Sequence, residues 1–97
     1  MSVFEEVPTH LLLSALVAID SEEEAKRFLE DLLTRKEILS VSQRLNVARM
    51  LLRGEKYAEV EQATGASSAT IVRVNQCIRY GNGGYQEVLG KLAEAQP

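Results

Sequence analysis

Gly65 stands between two stretches whose apolar residues recur at helical intervals, and it narrows the folds open to this chain more than any other position. The segment runs Tyr57-Ala58-Glu59-Val60-Glu61-Gln62-Ala63-Thr64-Gly65-Ala66-Ser67-Ser68-Ala69-Thr70-Ile71-Val72-Arg73. Glycine alone takes a positive φ without steric cost, so the chain can reverse within about three or four residues and set two helices at a steep angle. Ser67 is of the type that caps a helix N-terminus by accepting from an otherwise unpaired backbone N-H. The pattern predicts a short helix over 58–63, a turn at Gly65 and a longer helix over 68–79, a helix-turn-helix spanning Tyr57 to Arg79. Val60, Ala66, Ile71 and Val74 are spaced to face inward, which leaves Ser67, Ser68, Ala69, Val72 and Arg73 facing out.

The rest of the chain reads as helix too. Thr9 is placed to cap a helix through Leu11–Leu13 and on to Ile19, with Asp20 and Ser21 breaking it. Ser21 with Glu24, and Thr34 with Glu37, both have the spacing of a capping box, in which side chain and backbone cap each other reciprocally. The first opens a helix carrying Ala25, Phe28, Leu29, Leu32 and Leu33. The second opens the longest helix, with Ile38, Val41, Leu45, Ala48 and Leu52 at steps of three and four. Leu39, Val47, Met50 and Leu51 widen its apolar stripe, so that helix is expected to pack on two sides before ending at Gly54. The cluster Gly81-Asn82-Gly83-Gly84 interrupts any helix, and a last amphipathic segment runs from Tyr85 to about Glu94. The total is six helices in one all-α domain, residues 1–97, with N-terminal helices over about 9–53, the helix-turn-helix over 57–79 and a C-terminal helix over 85–95.

Charge is divided along the sequence. Residues 1–34 carry eight acids against Lys26 and Arg27, whereas residues 35–97 carry nine bases against six acids, so the net charge of -3 conceals a cationic second part. That part is the better partner for an anion. A lone cysteine, Cys77, excludes an internal disulfide, and with no basic-then-apolar leader it points to a reducing cytoplasm. The longest apolar run falls far short of the ~20 residues that a bilayer requires, so no membrane span is expected.

An outward helix tipped with small residues can approach a duplex closely, with its backbone N-H groups and positive dipole end toward phosphate. Ser67 and Ser68 can donate to phosphate or base edges, Ala69 and Val72 can lie against the groove, and Arg53, Lys56, Arg73 and Arg79 are the expected cationic contacts. Helix, glycine turn and helix also occur in bundles that never touch DNA. It is the register of Gly, Ser, Thr, Ile and Arg that favours double-stranded DNA as partner. Glu61, four residues before the turn glycine, must point outward.

From Leu33 to Leu92 the chain resembles the tryptophan repressor and its bacterial relatives of the YerC/YecD branch. The resemblance rests on Leu33-Thr34, Leu51-Leu52-Arg53-Gly54-Glu55, Gly65-Ala66 and Ala69-Thr70-Ile71 followed by Arg73, in family order with one residue fewer between Glu55 and Gly65. It implies a six-helix Trp-repressor-like fold and an intertwined homodimer whose recognition helices enter successive major grooves about 34 to 36 Å apart. It implies a sequence-specific transcription regulator, a repressor by family habit. It also implies a ligand pocket at Thr34, Arg44, Arg73, Val74 and Cys77, the first three matching the family. Val74 replaces a glycine and Cys77 a serine. The branched Val74 side chain would occupy the volume of an indole ring, and overfilling costs roughly 1 to 3 kcal/mol, so tryptophan is not expected as cofactor. Any effector would be a different, unidentified small molecule.

His10 has no second ligand at metal spacing and reads as structural, so no metal site is expected. Cys77, three residues after Val74, reads as a small packing residue. No nucleophile-base pair, phosphate-cradling loop or paired carboxylates can be assembled, which argues against an enzyme. Two alternatives to a DNA-binding regulator stay open: an interaction module that keeps the fold without DNA affinity, and a small-molecule sensor with a reshaped pocket.

Overall fold

A computed structural model describes residues 2–95. These form seven helices and no strand: α1 (Val3–Glu6), α2 (His10–Ala18), α3 (Glu22–Leu32), α4 (Arg35–Leu52), α5 (Tyr57–Thr64), α6 (Ser68–Tyr80) and α7 (Gly84–Ala95). Six match the expected elements to within a residue or two. The seventh, α1, is a single turn whose N-cap Ser2 accepts from the Phe4 backbone N-H at 3.2 Å, too short for periodicity to reveal.

The chain divides into two compact units between Arg35 and Lys36. None of α1, α2 and α3 in the first unit contains a buried residue. Leu11 and Val17 are 82% and 86% exposed, and Phe4, Leu13 and Leu16 also lie open. Ser21 caps α3 by accepting from the Glu24 N-H at 3.1 Å, but the Glu24 carboxylate reaches Asp20 N at 3.2 Å, one residue earlier than a capping box requires. Thr9 precedes α2 without making the expected side-chain cap.

The second unit has a core of Val47, Ala48, Val60, Ala66, Ile71 and Val74, all at most 2% exposed. Met50, Leu51, Ile78, Tyr85 and Leu89 pack around it. The periodicity of α4 is thus half satisfied within the chain. One side, with Val47 and Ala48, is buried, while Leu39, Val41, Leu45 and Leu52 are 39% to 56% exposed. The helix closes in a Schellman motif, with Gly54 N donating to Leu51 O and Glu55 N to Met50 O. No helix among the described residues is long and apolar enough to cross a membrane.

Candidate nucleic-acid interface

The bend between α5 and α6 is held by side chains as well as by Gly65. Gly65 adopts φ +70°, and its N-H donates to Glu61 O at 2.9 Å. The Thr64 hydroxyl donates to Val60 O at 2.7 Å and accepts from Ala66 N at 3.2 Å, so one group spans both sides of the bend. Gln43, on α4, donates to Thr64 O at 3.2 Å and ties the bend to the long helix. Neither Thr64 nor Gln43 stands out in sequence, because a threonine inside a helical run does not announce a bond to the carbonyl four residues back.

Beyond the bend, Ser67 caps α6 by accepting from Thr70 N at 3.2 Å, and its own hydroxyl donates to Thr70 Oγ1 at 3.0 Å. Its proton is therefore engaged inside the protein, and Ser68 is left as the hydroxyl donor at the tip. Ile71 and Val74 anchor α6 in the core, whereas Ser67, Ser68, Ala69, Val72 and Arg73 are exposed as their register requires. An open trough runs along this outer face, lined by Ser68, Ala69, Val72, Arg73, Gln76 and Tyr80. Gln76 and Tyr80 extend the face by further helical turns, which sequence reasoning missed.

Cys77 also lies exposed on that trough rather than in the core. At about 100° per residue it stands about 40° round the helix from Arg73 and about 60° from Val74, and the outer face claims it. Of the five residues that the resemblance implies for a ligand pocket, Arg73 and Cys77 line the trough. Val74 is buried in the core, and Arg44 is not among the trough's lining residues. Arg44 is exposed on α4.

The other expected cations are dispersed. Lys56 is the N-cap residue of α5 and makes no side-chain cap, Arg53 follows the end of α4, and Arg79 lies in the last turn of α6, where a cation also favours the helix dipole. Helix α6 contains no acid, whereas α5 exposes Glu59 and Glu61. A polyanion would be repelled by the outer surface of α5 and accepted by α6. Among the described residues there is no group of three or more His, Cys, Asp or Glu side chains able to hold a metal.

Two helices set across a glycine bend, the second anchored by one face and acid-free on the other, define a helix-turn-helix protein. The model of the Trp repressor protein family matches residues 8–93. The chain belongs to that family. It is 45% identical over 85 residues to the uncharacterized protein YerC of Bacillus subtilis (strain 168), covering 88% of this chain and 82% of that protein. A candidate Trp repressor from Staphylococcus aureus superposes with a TM-score of 0.88 at 39% identity, covering 96% of this chain and 95% of the other. A TrpR-like protein from Eubacterium eligens ATCC 27750 gives 0.82 at 42% identity over 90% of each chain.

Proposed function

We propose that the chain is a sequence-specific, non-enzymatic DNA-binding transcription regulator of the cytoplasm, a repressor that acts as a homodimer. The observation that carries this reading is α6 itself. Ile71 and Val74 are at most 2% exposed and fix the helix, while its outer face offers Ser68, Ala69, Val72 and Arg73 with no acid among thirteen residues. Ser68 and the free N-H groups of the first turn meet phosphate or base edges, and Ala69 and Val72 offer methyl groups to thymine. Arg73, Arg79 and Lys56 contribute charge that positions rather than discriminates.

What one chain leaves uncovered supports the dimer. Helices α1 to α3 bury no residue, and α4 exposes Leu39, Val41, Leu45 and Leu52, a stripe that a second copy related by a two-fold axis would cover. Tryptophan is not part of the proposal, since the resemblance implies a glycine where this chain carries the branched Val74, which is packed in the core.

Binding to genomic duplexes across a salt series tests the reading. A dimer with several phosphate contacts loses affinity steeply as salt rises, by about 0.9 logarithmic units per contact for each decade of salt. Selection of bound genomic fragments should then yield a two-fold symmetric site. Weak binding without a salt slope would return the chain to an interaction module that shares the fold.

A further inference from the structure

Between the C-terminal half of α4 and helix α7 lies a groove of about 410 Å³. Its apolar wall is Leu52, Leu89 and Leu92, and the guanidinium-bearing side chains of Arg49 and Arg53 line the same groove. Leu52 and Leu92 are 41% and 57% exposed. Gly90, in the middle of α7, also lines it, and a Cβ added there would meet nothing within 4 Å. A glycine inside a helix is unfavourable relative to alanine, and no packing within this chain calls for one. The groove is open, apolar along its wall and cationic at one side, and so complements a short segment combining an apolar side chain with carboxylates.

The chain itself contains such a segment. Residues 3–7 read Val3-Phe4-Glu5-Glu6-Val7, with Val3, Phe4 and Val7 each about half exposed and the two acids adjoining. A single helical turn is not self-supporting in water, because nucleation fixes several residues for one hydrogen bond, so this turn needs a surface to lie on. We propose that the groove between α4 and α7 receives residues 3–7 of a second copy of this chain. Phe4 lies against Leu52 and Leu92, and Glu5 and Glu6 meet Arg49 and Arg53. The proposal rests on the homodimer inferred above and commits Arg53 to a carboxylate rather than to phosphate. The Arg49 guanidinium already donates to Asn46 Oδ1 at 3.1 Å, which steadies it and leaves donors for a carboxylate.

Charge exchange in the full-length chain tests the pairing. One variant carries E5K and E6K, the other R49E and R53E. Each should homodimerise more weakly than the wild type, by on the order of a hundredfold if the pairs act together, as measured by sedimentation equilibrium. An equimolar mixture should form a heterodimer of near wild-type affinity, because both arm-groove pairs are then of opposite sign. If either variant fails to fold alone, recovery of the fold on mixing is the same positive result. Homodimers as tight as wild type would overturn the proposal. So would a defect unrepaired by mixing but repaired in one chain carrying all four changes, which would place the segment in its own groove. A wild-type chain that stays monomeric would instead refute the homodimer.

Discussion

Replacing Gly65 with alanine isolates the energy of the bend. Gly65 sits at φ +70°, and a Cβ built there meets nothing within 4 Å, so the substitution introduces no clash. The Gly65 N-H bond to Glu61 O and both Thr64 hydroxyl bonds can remain. What changes is the local conformational energy, about 1 to 2 kcal/mol for an L-residue held in the left-handed region. A destabilisation near 1 kcal/mol should lower Tm by about 4 to 8 °C for a chain of this size. Gly65→Asn should recover part of the loss, because asparagine tolerates that region better than other side chains. Urea unfolding of the three proteins at one fixed protein concentration provides the measurement, since the stability of any homodimer would depend on concentration. If alanine matched glycine, or asparagine were as damaging as alanine, φ at residue 65 would not govern the bend.

Ile71→Asp should prevent stable folding of the second unit, because it places an unpaired carboxylate where the side chain is 1% exposed; loss of cooperative thermal unfolding by circular dichroism would show it. Arg73→Ala should leave Tm within about 2 to 4 °C, as expected of an exposed residue, while weakening DNA binding and flattening its salt dependence by about one phosphate contact per protomer. Unchanged affinity would remove α6 from the interface. Ser67→Ala removes the cap on Thr70 N and should cost about 1 kcal/mol, read as a shift in urea midpoint at constant m-value.

The bend was legible in sequence because its demands are local. Only glycine suits the left-handed position, serine is a preferred cap, and Val60, Ala66, Ile71 and Val74 had to share a side, as they do. Features that depend on partners distant in sequence were not legible. Gln43 reaches Thr64 across 21 positions, and no spacing rule links them. Cys77 was assigned to the core by its distance from Val74, yet it lies nearer in rotation to Arg73 and is exposed. Thr9 has the chemistry of a cap without the bond, since α2 opens with Thr9 at φ -115° and ψ 2°, away from the extended geometry that directs a cap side chain toward the first turn. The broad apolar stripe of α4 was visible, but one chain buries only part of it.

Gln43 gives that stripe a mechanical meaning. At about 100° per residue it stands about 160° round α4 from Val41 and Leu45, two of the uncovered apolar positions, and its amide holds the carbonyl of Thr64 at the bend before α6. The same helix is joined to α5 and α6 through Val47 and Ala48 in the shared core, so the amide adds a second tie to the bend. A partner laid over the open side of α4 would thus brace the same helix that supports the bend and α6.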